Sequence, residues 1–197
     1  MKRSGRFRWN AVLIILGVLL IAGAVALVVL GQISQGKAAQ HAQALVHEIR
    51  LLIPPSYQGA VYDRSNTAMA AMEVDGMDFV GIVDIPAYGR ELPVYGHWEA
   101  GKVSSFPCRY TGSIYDGSLI IGGSDNAGQF DFMKLITVSD PVHITDMTGA
   151  RYSYTVTDIR ITRDVSTGSL RGQNADLVLF ARNTATLDYT LVLCHLN

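Results

Sequence analysis

Residues 79–95 read FVGIVDIPAYGRELPVY and contain two segments rich in β-branched and aromatic residues, separated by Pro86 and Gly89. Such residues favour β-strands, and clusters of proline or glycine end them. Five segments of the same character follow: SLIIGG (118–123), PVHIT (141–145), ARYSYTVTDIRI (150–161), DLVLF (176–180) and LDYTLVLC (187–194). With one short helical segment near 128–135, they predict a mainly β domain over 76–197 that forms a closed barrel of about seven or eight strands.

An uncharged run, AVLIILGVLLIAGAVALVVL, occupies positions 11–30. About 20 apolar helical residues cross the roughly 30 Å hydrocarbon core of a bilayer, so we predict a transmembrane helix over 11–31. A cleaved signal peptide and a buried soluble helix are the alternatives. The first ten residues are basic and contain no acid. This flank predicts a cytoplasmic tail over 1–10 and an extracytoplasmic remainder, as in a single-pass protein of the cell membrane.

The segment 32–75 is predicted to form an extracytoplasmic helix followed by a linker. Within 32–53, apolar residues recur at spacings of three and four, which is typical of a helix with one apolar face. The predicted stripe consists of Ala42, Leu45, Ile49 and Leu52. Pro54 and Pro55 end this helix because proline lacks an amide donor. The linker follows over 54–75, where the residues are small or polar and show no sustained period.

The part of the chain outside the membrane is mildly acidic. The whole chain has 16 Lys and Arg against 17 Asp and Glu, and four of the basic residues lie in the first ten, which leaves 12 against 17. An excess of acids argues against nucleic acid as a partner, because affinity for phosphate backbones comes from clustered Lys and Arg. The sequence contains neither the carboxylate spacing of a calcium loop nor a glycine-rich phosphate fingerprint, so we expect no metal and no cofactor.

The stretch 79–95 resembles the opening strands of the sortases, whose members typically read G-x-L-x-I-P-x-L-G-x-x-L-P-V. The matching residues are Gly81, Ile85, Pro86, Gly89, Leu92, Pro93 and Val94. Residues 106–135 resemble the family segment that leads to I-A-G-H-N and then to a Gly-x-F-x-x-L helix, and residues 147–159 resemble the following strand pair. The resemblance covers about 75–197. It implies a cysteine transpeptidase fold on the outer membrane face of mostly Gram-positive cells, where sortases attach surface proteins and assemble pili.

Family chemistry needs a cysteine nucleophile, a histidine that shuttles protons and an arginine that supports the oxyanion. The histidine follows I-A-G, and here Ser124 follows Ile-Gly-Gly. For the cysteine, two registers compete. In the first, 176–182 is the nucleophile strand, so Arg182 replaces the cysteine and Tyr189 falls near the arginine position. In the second, 190–194 is that strand and Cys194 is the nucleophile.

The first register is favoured because it leaves 187–196 for a final strand after a turn at 183–186. The second leaves three residues after Cys194, and the barrel would then end in an unpaired edge. Under the first register every catalytic role is vacant, and we expect a pseudoenzyme that binds a peptide sorting signal, a surface protein or another sortase. The predicted binding residues are Ser124, Asp125, Arg182 and Tyr189.

Several alternatives stay open at the level of sequence. The protein is an active cysteine transpeptidase or hydrolase if Cys194 is the nucleophile, with a relocated base such as His97. Arg182 has a simpler role if it only pairs with Asp125 or another acid and stabilises a degenerate groove. Cys194 and Cys108, which lies in the loop before Tyr110, form a disulfide or remain buried thiols.

Overall fold

The computed structural model describes residues 5–55, 57–58 and 67–197, with side chains described for 13–28, 40–55 and 67–197. The chain forms two compact units, Met1–Lys37 and Ala38–Asn197. The helix α1 (Gly5–Leu52) runs through the first unit and into the second. Among the residues searched, which are the described ones, no helix combines the length and the apolar character needed to cross a membrane.

The second unit is built from short strands. The strands are β1 (Tyr57–Gln58), β2 (Met72–Val74), β3 (Met77–Ile85), β4 (Arg90–Tyr95), β5 (Cys108–Thr111), β6 (Leu119–Ser124), β7 (Pro141–Asp146), β8 (Ala150–Thr162), β9 (Leu177–Arg182) and β10 (Tyr189–Leu196). Two 3₁₀ helices, Pro86–Tyr88 and Phe130–Lys134, and the helix α2 (Thr167–Arg171) connect them. The sequence prediction of a short helical segment near 128–135 therefore corresponds to a 3₁₀ helix.

Eight of these strands close into a barrel. Following the hydrogen-bonded neighbours, the order is β3–β4–β5–β6–β9–β10–β8–β7, and β7 pairs again with β3. The pairs β4–β5 and β6–β9 are parallel, whereas the other pairs of the ring are antiparallel. β2 extends the sheet beside β3, and β1 lies beside β8. The predicted closed barrel of seven or eight strands is thus confirmed.

The barrel interior is filled by alternate residues of most strands, because successive side chains point to opposite faces of a strand. Leu179 and Ala181 of β9 lie in this interior cluster, together with Tyr154 and Phe130. Val178 and Phe180 belong to a separate cluster on the outer face of the wall, with Leu170 of α2 packed against it. This alternation fixes which side chains of β6, β9 and β10 are available for a ligand.

Three strands of the second unit were not predicted from the sequence, and one of them, β1, is a two-residue strand within the predicted linker. Cys108 begins β5, where we predicted a loop, and its position is paired with Gly122 of β6. β2 falls within the predicted linker and forms a hairpin with β3 through Asp75 and Gly76, which both have positive φ. Asp-Gly is the favoured pair for a tight type I′ turn, so this dipeptide was an available signal for the hairpin.

The last turns of α1 cover one outer side of the barrel. Ala42, Leu45 and Ile49 are buried against Phe79 and Phe106. The predicted stripe was wrong at its end, since Leu52 is 54% exposed and the buried series continues through Val46 and Ile53. The reason is helical geometry, because the buried face continues from Ile49 at a spacing of four and not of three. Arg50 reinforces the contact by two hydrogen bonds to the Glu91 carboxylate, at 3.0 and 2.7 Å.

Candidate functional site

Three predicted site residues form one row across neighbouring strands. Ser124 is the last residue of β6 and is paired with Arg182, the last residue of β9. Arg182 is in turn paired with Tyr189, the first residue of β10. Neighbouring strands lie about 4.8 Å apart, so the row is about 10 Å long. The structure therefore brings together the positions that the first register assigned to the histidine, the cysteine and the arginine.

The row lies at one end of an aromatic surface on the outer face of the barrel. Arg182 and Phe180 are two residues apart on β9 and therefore lie on the same side of the strand, which is the outer side of the barrel. The ring of Phe180 lies 5.7 Å from Trp98, 5.4 Å from Tyr110 and 6.2 Å from Tyr189, measured between ring centroids. We call these four residues the aromatic platform. Trp98 is its most accessible member, with 42% of its surface exposed.

Gly122 makes the close packing of the platform possible. A Cβ atom at this position would lie 2.5 Å from both Trp98 Cζ3 and Phe180 Cζ, closer than two carbon atoms approach. The absence of a side chain therefore lets both rings lie directly on β6. Trp98 and Phe180 are not among the site residues predicted from the sequence. The paired glycines at 122 and 123 were the available signal, since glycine inside a strand often marks a close approach by another group.

Trp98 reaches the platform from the loop 96–107, which joins β4 to β5. Two polar side chains hold this loop beside the end of β6. Gln129 donates from Nε2 to the carbonyl of Val103 at 3.1 Å and accepts the N–H of Ser124 at its Oε1. Asn126 donates from Nδ2 to the carbonyl of Ser104 at 3.4 Å. The loop is thus hydrogen-bonded to the segment that follows Ser124.

Asp125 is engaged within the protein and does not bind Arg182. Its buried carboxylate accepts hydrogen bonds from the N–H and the hydroxyl of Thr184, at 3.2 and 3.3 Å, and lies 3.0 Å from Lys134 Nζ. The alternative in which Arg182 pairs with Asp125 is wrong, because the structure contains no hydrogen bond or ion pair between these two side chains, both of which it describes, and Asp125 Oδ2 is engaged by Thr184 and Lys134. Asp125 instead fastens the β9–β10 turn to the end of β6.

Arg182 itself is exposed. Within the described part of the chain, no hydrogen bond or ion pair involves its guanidinium. The other nearby acid, Asp188, accepts from Arg163 at 2.8 Å. This end of the outer face thus presents a cation whose charge Asp125 and Asp188 do not balance. The binding roles of Ser124, Asp125, Arg182 and Tyr189 stay predictions.

Cys194 lies inside the barrel and is fully buried. Burial raises the pKa of its thiol to about 12, because an apolar interior disfavours the charged thiolate. The adjacent His195 makes its contact elsewhere, with its Nδ1 atom 3.2 Å from the Asp176 carboxylate. His97, the candidate relocated base, is largely exposed and lies 3.8 Å from Asp78.

Cys108 is also a buried free thiol, and burial raises its pKa to about 11. β6 and β9 lie between β5, which carries Cys108, and β10, which carries Cys194. Three strand spacings amount to about 14 Å along the wall, whereas a disulfide requires Cα atoms within about 7 Å. The structure accordingly contains both cysteines as separate thiols and not as the alternative disulfide.

A second feature of the same outer face is a cavity of about 290 Å³ at the opposite end of β6 and β9. Ile120, Val178 and Leu170 form its apolar side, and Asp116 and Arg171 form its polar side. No group of three or more His, Cys, Asp or Glu side chains that could hold a metal occurs among the residues that the structure describes. The outer face thus offers apolar surface with a few polar groups, which suits an organic ligand.

Comparison with solved structures identifies the architecture. Sortase A of Corynebacterium diphtheriae matches at 16% identity and a TM-score of 0.55, covering 83% of this chain and 84% of that chain. Sortase C1 of Streptococcus agalactiae, in complex with MTSET, matches at 18% identity and a TM-score of 0.54, covering 60% of this chain and 69% of that chain. The sortase D5 transpeptidase of Clostridium perfringens matches at 19% identity and a TM-score of 0.52, covering 61% of this chain and 79% of that chain.

No protein-family model and no curated protein matches the sequence. The structural matches nevertheless agree with one another, and the barrel that they share with this chain has eight strands in a closed ring. The barrel domain of this protein therefore has the sortase fold.

Proposed function

We propose that this protein is a non-catalytic member of the sortase-like proteins, a pseudoenzyme whose outer groove binds an extended peptide. The row of Ser124, Arg182 and Tyr189 carries the proposal, because it contains neither a thiol nor an imidazole. Acyl transfer by a cysteine requires a thiolate that the substrate can reach. A guanidinium cannot serve as that nucleophile, and a serine hydroxyl does not shuttle protons near neutral pH.

The environment of Cys194 supports the loss of activity. Its thiol faces the barrel interior, and a pKa of about 12 keeps it protonated at neutral pH. His195 is engaged with Asp176 and is therefore not placed to activate that sulfur. The active alternative would require the barrel wall to open before Cys194 met a peptide.

Peptide binding is supported by the chemistry of the outer face. The aromatic platform provides apolar surface beside Arg182, and the cavity near Leu170 continues the same face beyond it. Aromatic side chains with a polar end are common in binding surfaces because they bury area at low conformational cost. The peptide could belong to a sorting signal, to a surface protein or to an active sortase.

We also propose that residues 11–31 anchor the protein in the cell membrane, with residues 1–10 in the cytoplasm. The uncharged run and its basic flank support this topology. In the part of the run whose side chains are described, 13–28, every Leu, Ile and Val is more than half exposed. A helix that is apolar on all sides needs lipid or protein around it. Extraction of membranes at alkaline pH should leave the chain in the membrane fraction, and its release would contradict the anchor.

The function is tested by incubating the full-length protein, purified in mild detergent, with a pooled library of synthetic decapeptides. Mass spectrometry then measures both the peptides retained by the protein and any cleavage products. We expect retention of a subset of intact peptides and no thioacyl adduct on the protein. The matched control is Cys194→Ala, which should give the same result as the wild type.

Two outcomes would contradict the proposal. Cleavage by the wild type that is lost in Cys194→Ala would show an active cysteine enzyme. Absence of any retained peptide would remove peptide binding and leave a structural role in a surface assembly, for which cross-linking should recover a stable protein complex.

A further inference from the structure

The charge balance around the row Ser124–Arg182–Tyr189 defines what Arg182 can bind. Both neighbouring carboxylates already have a cation of their own: Asp125 lies 3.0 Å from Lys134 Nζ, and Asp188 lies 2.8 Å from Arg163 Nε. Together with Arg182, these side chains are three cations and two carboxylates, which leaves an excess of one positive charge. That excess is located on Arg182, which is exposed and has no ion pair among the described residues.

Hydroxyl donors adjoin this cation. Ser124 Oγ accepts the N–H of Asn126 at 3.3 Å, so its own proton remains available for donation. Tyr189 is the register partner of Arg182 on the other side and is half-buried in the outer cluster. A guanidinium is planar and presents paired N–H donors that fit the two oxygens of a carboxylate. The row Ser124–Arg182–Tyr189 thus combines one full positive charge with two hydroxyl groups.

The aromatic platform adjoins the same row and sets the second requirement. Phe180 lies two residues from Arg182 on the same side of β9, and Trp98 lies over it with a centroid separation of 5.7 Å. A ligand held by Arg182 therefore meets an apolar surface one strand pleat, about 6–7 Å, further along the face. A simple inorganic anion would use the cation and leave this surface empty, whereas a peptide would use both.

We propose that this end of the groove is a carboxylate-binding site for a peptide, a more specific form of the proposed peptide-binding function on which it rests. Arg182 binds the carboxylate, the hydroxyls of Ser124 and Tyr189 adjoin it, and an apolar side chain next to the carboxylate packs on the exposed face of Trp98, which Phe180 supports from beneath. The carboxylate comes from the C-terminus of a peptide or from an Asp or Glu side chain. A monoanion matches the single excess charge, whereas a dianion such as a phosphate group would be only half neutralised.

The test uses the peptide pool in two forms that differ only at the C-terminus, a free acid and an amide. Wild-type protein, Arg182→Gln and Arg182→Lys are compared by the amount of each peptide retained. A charge-assisted hydrogen bond contributes about 1.5–3 kcal/mol, which corresponds to roughly 10- to 150-fold in affinity. We therefore expect the wild type to prefer carboxylate-bearing peptides by about tenfold or more, Arg182→Gln to lose that preference, and Arg182→Lys to keep part of it.

The two forms of the pool identify the source of the carboxylate. Preference for the free acid over the amide indicates a C-terminal carboxylate, whereas enrichment of Asp or Glu in the amide pool indicates a side chain. Arg160→Gln is the matched control, since Arg160 makes the same change in charge but is already paired with Asp158 at 2.7 Å. It should change retention by less than about twofold, as expected for an exposed and screened ion pair.

Failure of this inference is distinguishable from failure of the proposed function. If Arg182→Gln retains the same peptides in the same amounts as the wild type, the carboxylate site is refuted while peptide binding stands. If none of the proteins retains any peptide, both are refuted. Equal losses in Arg182→Gln and Arg160→Gln would also refute the site, because they would show a non-specific effect of net charge.

Discussion

Substitution of Gly122 by alanine tests whether Trp98 and Phe180 really lie against β6. The new Cβ would be 2.5 Å from an atom of each ring, whereas carbon atoms in contact lie about 3.5–4.0 Å apart. Both contacts must therefore lengthen by about 1 Å, through movement of the two rings or of the β6 backbone. Phe180 is enclosed, at 1% exposure, whereas Trp98 is 42% exposed, so we expect Trp98 to move further than Phe180 and β6 to shift to relieve the contact with Phe180.

The expected cost follows from two opposing effects. Overpacking a close contact costs about 1–3 kcal/mol, and replacing glycine by alanine inside a strand recovers about 0.5–1 kcal/mol. The net loss of unfolding free energy should be about 1–2 kcal/mol, or about 2–8 °C in Tm for a domain of this size. The assay combines thermal unfolding with Trp98 fluorescence in a Trp9→Phe background, because the chain contains only two tryptophans.

Gly101→Ala is the control for this prediction. It lies in the same loop as Trp98, and its Cβ would make only an ordinary contact of 3.7 Å with Glu99 Oε1. We expect less than about 0.5 kcal/mol of change and an unaltered emission spectrum. A Gly122→Ala protein that is as stable as the wild type, with the same Trp98 emission, would refute the packing of the platform.

Three further outcomes follow from burial and charge. Ile49→Ala should lower the unfolding free energy, measured by urea titration, by about 2–5 kcal/mol. Leu52→Ala, at an exposed position of the same helix, should change it by less than about 0.5 kcal/mol. Equal effects of the two substitutions would contradict the packing of α1 on the barrel. Cys194→Ser should cost about 1–3 kcal/mol by the same measurement because it places a hydroxyl in the apolar interior, and an unchanged unfolding midpoint would mean that residue 194 lies at the surface. Burial alone would raise the pKa of Asp131, but its hydrogen bonds from Arg90 and from a backbone N–H outweigh burial and hold the pKa below the ordinary value of 3.8. The ionised Asp131 carboxylate therefore stabilises the fold above about pH 4, and this stabilisation is lost as the pH falls through the folded pKa. Asp131→Asn should flatten the dependence of the unfolding free energy on pH below about 4. The same acid dependence in Asp131→Asn and the wild type would show that Asp131 does not contribute to it.

Much of the fold was predictable because it depends on local sequence. The strand segments are short, are rich in β-branched residues and end at Gly, Pro or Asn, so their positions were found to within a few residues. β5 escaped prediction because Cys108–Thr111 has no sustained pattern and is defined by its pairing with β6. The stripe on α1 was misjudged at Leu52 because the sequence shows a spacing but not where the barrel surface ends.

The site was only partly predictable. The positions of Ser124, Arg182 and Tyr189 came from strand ends and from the resemblance of motifs, and the strand register brings them together. The partner of Asp125 was not predictable, because Lys134 reaches it from a 3₁₀ helix whose placement depends on the whole barrel. Trp98 was missed for the same reason, since a loop residue joins a surface of β6 and β9 only through tertiary hydrogen bonds.

Native-state alkylation of Arg182→Cys compared with the wild type tests the central claim most directly. The wild-type cysteines are both buried with raised pKa values, so a thiol-specific alkylator should give no adduct in the intact mass until the protein is unfolded. Arg182→Cys should gain one adduct, mapped to position 182, at the rate of an accessible thiol. Rapid labelling of Cys194 in the wild type, or an unreactive thiol at position 182, would contradict the account.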